Sequence, residues 1–142
     1  TTVLIGTETA ERRWVKYEIV KSFDRGNGLL GIHINRIKSK EQQISAKGLN
    51  PFDRLGFHVS EDGKKIRFYE LVNRKWQVFS DLPEINNKKS NSIYFDNHWW
   101  HGNEFGKFFK FSDKFPTYCW INDVGNKNFS TWIEKSATQA GR

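Results

Sequence analysis

Apolar positions in the first 35 residues predict a strand, a helix and a second strand. Residues 2–6, "TVLIG", form a short β-branched apolar run that is typical of a strand covered by other elements. Between about Ala10 and Arg25, apolar side chains recur at every fourth position from Val15, which predicts an amphipathic helix. Residues 29–35, "LLGIHIN", are again almost entirely apolar. This order predicts a βαβ unit with parallel strands and a right-handed crossover.

Polar residues and glycines at the two ends of the predicted helix indicate its limits. Thr7 and Thr9 are the predicted N-caps, because a hydroxyl oxygen accepts a free N–H of the first helical turn. "GNG" at 26–28 predicts the C-terminal stop. A phosphate loop is not expected there, because phosphate loops run from a strand into a helix. The turn at residues 6–9 follows a parallel strand, and ligands of such sheets bind beyond the carboxyl ends of the strands.

The pattern changes to antiparallel β-structure in the middle of the chain. Residues 57–71 contain two alternating segments around Asp62-Gly63, which predict a hairpin. "WQVF" at 76–79 predicts a third antiparallel strand, whereas residues 84–104 carry no pattern that we assign. A short final helix is predicted around Trp132, with its cap near Asn126 or Asn128. The chain is therefore predicted to be one α/β domain over 1–142, with an incomplete parallel βαβ part and an antiparallel β-rich C-terminal extension.

Composition predicts a small core rich in aromatic rings. The 142 residues include 12 Phe, 6 Trp and 4 Tyr, although only 37% of the chain is hydrophobic. No apolar run approaches the roughly 20 residues that span a bilayer, so no membrane contact is expected. Cys119 is the single cysteine, which excludes an intramolecular disulfide, fits a reducing compartment and favours a cytoplasmic location. Its thiol is predicted to be buried as a small apolar group.

A net charge of +7 permits binding to polyanions, but the arrangement of the charges does not favour nucleic acid. The basic residues are interleaved with acidic ones along the chain. A metal site is not predicted either. "HWWH" places His98 and His101 three residues apart, but zinc normally needs three or four nitrogen or sulfur ligands. The two tryptophans between these histidines are predicted to fill the core or an interface.

Several separated segments carry a resemblance to a known family. The segments "VLIGTETAERRWVKYEI", "GLLGIHIN" and "KGLNPFD", followed by the closing "YCWINDVGNKNFSTWIEKSATQAGR", resemble the TIR-like proteins of the bacterial Thoeris antiphage system. The resemblance implies a flavodoxin-like, TIR-like domain that consumes NAD+ as a substrate, so that no bound cofactor is required. It also implies cleavage of the nicotinamide–ribose bond, with or without cyclisation. The released nucleotide would then signal to a downstream effector in antiviral defence.

The resemblance assigns a catalytic role to Glu18. Catalytic TIR domains carry a glutamate in a Trp-x-x-x-Glu helix motif, and residues 14–18, "WVKYE", match that motif here. A fixed carboxylate would stabilise the positive charge that develops on the ribose as nicotinamide leaves. From the residues alone, Glu18 could instead be a solvated helix charge, with or without pairing to Lys21 or Arg25. Trp14 could form a wall of the substrate pocket or anchor the helix in the core.

The first residues of the chain predict that it needs a further polypeptide partner. "TTVLIG" opens on a strand without an initiator methionine, and members of the family begin with further strands and helices. The chain is therefore expected to be the C-terminal portion of such a protein and to need the N-terminal half or self-association. The alternative function is that of a non-catalytic protein–protein interaction module, and a nucleic-acid binder is a third possibility.

Overall fold

Two sheets, one parallel and one antiparallel, organise the described part of the chain. The computed structural model describes residues 1–87 and 105–141. The strands are β1 (Thr2–Ile5), β2 (Leu30–His33), β3 (Leu55–Val59), β4 (Lys65–Val72), β5 (Lys75–Val78), β6 (Ile85–Asn86), β7 (Phe108–Lys110) and β8 (Thr117–Cys119). The α-helices are α1 (Arg13–Asp24) and α2 (Gly125–Gln139), and short 3₁₀ helices cover Thr9–Glu11, Pro51–Asp53 and Phe111–Asp113.

The parallel sheet has the order β1-β2-β8. Strands β1 and β2 are parallel and α1 connects them, which confirms the predicted βαβ unit. Strand β8 adds to the other side of β2, so that Ile5, His33 and Cys119 stand in one row across the sheet. The sequence did not predict this third strand. Its three residues are too few to show a pattern, and its partner lies more than 80 positions earlier in the chain.

Helix α1 begins later than the sequence predicts. The predicted caps, Thr7 and Thr9, are wrong, because a 3₁₀ turn precedes the helix and Arg12 occupies the N-cap without a side-chain hydrogen bond. The Thr9 hydroxyl oxygen accepts the Gly6 N–H at 2.8 Å instead. Residue Thr9 therefore closes the turn after β1 and leaves the start of the helix to backbone hydrogen bonds.

The glycine stop of α1 is confirmed. Gly26 has a φ of 74°, a left-handed conformation that glycine adopts without steric cost. Its N–H donates to the Phe23 carbonyl at 2.9 Å, and the Asn27 N–H donates to the Ser22 carbonyl at 3.0 Å. This pair of bonds is the Schellman motif that ends many helices.

The antiparallel sheet has the order β5-β4-β3-β7, with β6 also paired to β4. The predicted hairpin is β3 and β4, and Gly63 in its turn has a φ of 72°. The predicted third strand is β5, which pairs with β4. The observed combination of a parallel βαβ part and an antiparallel sheet confirms the predicted α/β fold class and is consistent with a TIR-like fold.

The main core is built from phenylalanine rings, as the composition predicted. Phe23 of α1 lies 5.1 Å from Phe57 of β3 and 5.4 Å from Phe111, measured between ring centroids. These contacts join α1 to the antiparallel sheet. The phenylalanines that are almost completely buried are Phe52, Phe57, Phe68, Phe79, Phe111 and Phe115.

A second, smaller core lies under α2. Trp132 packs on Leu30 and Ile32 of β2, and its ring stacks on Tyr118 with centroids 4.2 Å apart. The predicted caps Asn126 and Asn128 are wrong, because both residues lie inside this 15-residue helix. Within residues 1–87 and 105–141, no helix is long and apolar enough to cross a membrane.

Candidate functional site

Helix α1 presents Trp14 and Glu18 at a groove along β1. This strand is at the edge of its sheet, because β2 is its only neighbour in the described part of the chain. The groove has a volume of about 270 Å³. Its lining consists of Thr1, Thr2, Val3, Leu4, Thr9, Trp14, Val15, Glu18 and Ile19.

Glu18 is exposed at this groove, and its carboxylate is not committed to an ion pair. Lys21, one of its two possible partners, pairs with Asp24 at 3.0 Å. No salt bridge joins Glu18 to Arg25 or to any other residue in the part of the chain that the structure describes. The pairing of Glu18 with Lys21 or Arg25 is therefore wrong, whereas its exposure fits a solvated helix charge as well as a catalytic carboxylate, and the catalytic role stays a prediction.

Trp14 does not anchor α1 in the core. Its side chain is 74% exposed, and its ring stacks on Tyr17 with centroids 5.5 Å apart and an interplanar angle of 16°. The core-facing stripe of α1 carries Ile19, Val20 and Phe23 instead. Trp14 lies away from that stripe, one turn before Glu18. The aromatic ring and the carboxylate therefore border the same groove.

A buried ion pair fixes the orientation of α1. Lys16, between Trp14 and Glu18 in the sequence, places its Nζ 3.2 Å from Oε1 of Glu70 on β4, and both side chains are buried. Arg13 also contacts Glu70, at 3.9 Å, and its guanidinium pairs with Asp81. The hydrogen bond to Asp81 raises the pKa of Arg13 above its ordinary value. The face of α1 opposite the groove is therefore held by the antiparallel sheet.

A larger cleft opens at the carboxyl ends of β2 and β8. Its volume is about 670 Å³. His33 ends β2, Cys119 ends β8, and the loop at 47–50 also lines the cleft. The cleft is lined by His33, Lys47, Gly48, Leu49, Asn50, Asp53, Thr117, Tyr118, Cys119, Asn122 and Asp123. Cys119 is only partly buried here, so the prediction of a buried thiol is wrong.

His33 is the most deeply buried charged or titratable side chain of this cleft. It is 6% exposed, and its Nδ1 has no hydrogen-bond partner in the described structure. Burial lowers the pKa of His33 below 6.5, the charge of Lys47 lowers it further, and Asp53 opposes this shift. The ring is therefore neutral at neutral pH. Position at the end of a parallel strand was the one sequence signal that could have identified His33.

Three contacts hold the segment at 46–50, which includes the cleft loop. The Thr7 hydroxyl donates to the Ala46 carbonyl at 3.0 Å. A Cβ atom on Gly48 would lie 2.0 Å from the carbonyl oxygen of Gly6, so only glycine permits this approach. Asn50 donates to the Thr117 hydroxyl at 2.8 Å. The groove and the cleft share no lining residue.

A metal ion has no evident set of ligands among the described residues. Within residues 1–87 and 105–141, no group of three or more His, Cys, Asp or Glu side chains could hold a metal ion. His98 and His101, with the two tryptophans between them, lie outside the described residues. The expectation that the protein has no metal site therefore stays a prediction.

Two comparisons with known proteins match this chain. The family model for the TIR-like domain of the Thoeris protein ThsB matches residues 1–39, which include Trp14 and Glu18. A Bacillus cereus (strain MSX-D12) protein named "Putative cyclic ADP-D-ribose synthase ThsB1" is 42% identical over 135 residues. That match covers 94% of this chain and 65% of the relative. The chain therefore spans about two thirds of the length of the relative that it matches.

Proposed function

Because the chain belongs to the Thoeris TIR-like family, we propose that it cleaves the nicotinamide–ribose bond of NAD+ with Glu18 as the catalytic carboxylate. One observation carries this assignment. The Glu18 carboxylate makes no ion pair among the described residues and borders a groove one turn after an exposed tryptophan. A carboxylate that is fixed by its helix and free of a counter-charge can interact with a cation that forms during the reaction.

In the proposed reaction, Glu18 acts through its negative charge and not as an acid or a base. When the glycosidic bond breaks, its electron pair goes to the pyridinium nitrogen, and nicotinamide leaves as a neutral molecule. The ribose is left with positive charge on its anomeric carbon and ring oxygen. Glu18 stabilises this charge, which is largest in the transition state, and the barrier falls as a result.

The fate of the ribosyl cation decides between hydrolysis and cyclisation. Attack by water would give ADP-ribose and release one proton. Attack by a nucleophilic atom of the same nucleotide would close a ring. The Bacillus cereus relative carries the name "Putative cyclic ADP-D-ribose synthase ThsB1", and this name supports the proposal of cyclisation in this chain. The product would then be the nucleotide signal to a downstream effector in antiviral defence.

The groove needs another polypeptide wall to enclose a dinucleotide. Its volume of about 270 Å³ is below the range of roughly 300–1,000 Å³ that is usual for ligand pockets. Leu4 on β1 is 57% exposed beside Trp14. We therefore propose that a further segment of a longer chain, or a second copy, covers the edge of β1. The same exposed side chains favour the alternative function, a non-catalytic interaction module.

Nicotinamide release from NAD+ tests the proposal and separates it from the alternative. The wild type is compared with Glu18→Gln, each with and without any residues that the gene encodes upstream of Thr1. Loss of one electrostatic stabiliser typically lowers the rate by about 10²- to 10³-fold. Glu134→Gln is the matched control, because Glu134 is an exposed glutamate of α2 far from the groove in sequence. Equal release by wild type and Glu18→Gln would remove Glu18 from the mechanism.

A further inference from the structure

The cleft between β2, β8 and the loop at 47–50 has no part in the proposed cleavage. It shares no lining residue with the Glu18 groove, and its volume of about 670 Å³ is the size of a pocket for a small molecule. It lies beyond the carboxyl ends of two parallel strands, the position at which open α/β sheets bind their ligands. Its chemistry indicates which ligand it would take.

Three charged side chains line the cleft without forming a salt bridge at close distance. Lys47, Asp53 and Asp123 take part in no salt bridge within the described residues. One carboxylate oxygen of Asp123 accepts the Cys119 N–H at 2.6 Å, which orients that group at the end of β8. The cleft thus offers one ammonium group and two carboxylates to a ligand.

His33 provides a further, independent sign of a ligand. His33 lines the cleft and is only 6% exposed. Its Nδ1 lacks a hydrogen-bond partner in the described structure. Buried polar atoms are nearly always paired in folded proteins, so an unpaired imidazole nitrogen needs an explanation. That nitrogen is itself buried, so a ring nitrogen or an amino group of a base would pair with it once the imidazole turns toward the cleft.

We propose that this cleft is a second binding site, which takes a nucleoside or a nucleoside monophosphate. The carboxylates of Asp53 and Asp123 would accept hydrogen bonds from ribose hydroxyls, as acidic residues do in nucleotide-binding α/β domains. Lys47 would bind one phosphate, and His33 would contact the base. A triphosphate fits poorly, because its charge of about −4 meets two carboxylates and one ammonium group.

The proposal goes beyond NAD+ cleavage and does not depend on it. The site would hold a nucleotide whether or not Glu18 is catalytic. A nucleotide bound there would contact the loop whose other side packs against Gly6 and Thr7, at the carboxyl end of β1. The cleft is therefore placed to couple nucleotide binding to the turn that precedes α1.

Cys119 gives a direct test, because it is the single cysteine of the chain and lines the cleft. Its alkylation by iodoacetamide is followed by mass spectrometry while AMP is added. We expect AMP to slow the alkylation in a saturable manner, and ATP and inorganic phosphate to protect at least tenfold less well at equal concentration. Calorimetric titration with AMP measures the same binding without using the thiol.

Variants separate this site from the groove. Lys47→Gln and Asp53→Asn should each weaken AMP binding about tenfold, which corresponds to the loss of one hydrogen bond to a charged group. Glu18→Gln should bind AMP like the wild type, even if it abolishes nicotinamide release. The proposal is overturned if AMP neither slows the alkylation of Cys119 nor gives a heat of binding in the titration. It is also overturned if phosphate slows the alkylation equally well, or if Glu18→Gln is the only variant that impairs AMP binding.

Discussion

Lys16 of α1 and Glu70 of β4 form a buried ion pair with 3.2 Å between Nζ and Oε1. The two residues are 7% and 4% exposed. Because Lys16 lies between Trp14 and Glu18, this pair fixes the helix turn that borders the groove. The antiparallel sheet therefore orients side chains that lie at the edge of the parallel sheet, although the two sheets are separate in hydrogen bonding.

Breaking this pair should destabilise the protein strongly. We expect Glu70→Leu to lower the free energy of unfolding by about 3–5 kcal/mol, since it leaves the buried Lys16 charge without its partner. Lys16→Met should cost less, because Glu70 keeps its 3.9 Å contact with Arg13. The double variant should recover much of the loss, because no charge then remains buried at this contact. Urea unfolding measures all three variants. Strictly additive losses in the double variant would show that the pair has no energetic coupling.

Substitution of Trp14 should affect activity and leave stability almost unchanged. Since its side chain is 74% exposed, Trp14→Ala should change the free energy of unfolding by less than about 1 kcal/mol. Nicotinamide release should fall if the ring forms a wall of the substrate pocket. Trp132→Ala is the matched control, because Trp132 is 5% exposed and its truncation should cost about 3–5 kcal/mol. A large loss of stability in Trp14→Ala would contradict the exposed position.

His33 should make the protein less stable in mild acid. Burial lowers the pKa of His33 in the folded protein, whereas the unfolded chain takes up a proton near pH 6.5. Below that pH the unfolded state binds more protons than the folded state, so the free energy of unfolding falls as the pH falls toward the folded pKa. Above about pH 6.5, both states are neutral at this position and the contribution disappears.

Thermal or urea unfolding between pH 7 and pH 5 measures this effect. His33→Gln should show a weaker dependence over the same range, because glutamine does not titrate. The carboxylates that also titrate toward pH 5 are present in both proteins, so the difference between the two curves isolates His33. Parallel curves would mean that burial does not restrain protonation of His33.

Gly26 should resist substitution because of its left-handed backbone. Gly26→Ala is expected to lower the free energy of unfolding by about 1–2 kcal/mol, the cost of placing an L side chain at a φ of 74°. Gly6→Ala is the control, since an added Cβ there would lie an ordinary 3.7 Å from the Thr9 hydroxyl oxygen and the φ of Gly6 is not positive. Equal effects of the two substitutions would rule out the conformational explanation.

Val124 carries backbone strain that a substitution could relieve. It precedes α2 with a φ of 53°, which a β-branched residue rarely adopts, and its side chain is 44% exposed. Asparagine tolerates this conformation, so Val124→Asn should raise the free energy of unfolding by about 1 kcal/mol. Urea unfolding provides the measurement. A loss of stability would indicate that the valine side chain makes contacts worth more than the strain.

The sequence predicts the fold correctly where a pattern of neighbouring residues indicates the local structure. The parallel β1-α1-β2 unit, the glycine stop at Gly26 and the hairpin around Gly63 all follow from periodicity and turn residues within a short window. It failed at the start of α1, where Thr9 bonds to the Gly6 N–H. Two local hydrogen bonds compete for one hydroxyl group there, and the sequence does not say which one forms.

Of the two candidate sites, the sequence predicts the groove residues and not the cleft. The Trp-x-x-x-Glu spacing placed Trp14 and Glu18 one turn apart on a single helix, and the structure brings both to one groove. The cleft was missed because His33, Lys47 and Asp123 come from distant parts of the chain. No spacing along a sequence encodes that three such segments meet.

Local elements, the aromatic character of the core and the helix that carries Glu18 all follow from the order of residues along the chain. Short-range hydrogen bonding and hydrophobic periodicity act between neighbouring residues, so their outcome can be read from the chain. The pairing of β8 with β2, the exposure of Trp14 and the position of Cys119 at a cleft become known only from the folded chain. Those outcomes depend on which distant surfaces of the chain pack together and exclude water. This packing depends on all parts of the chain and not on a short segment.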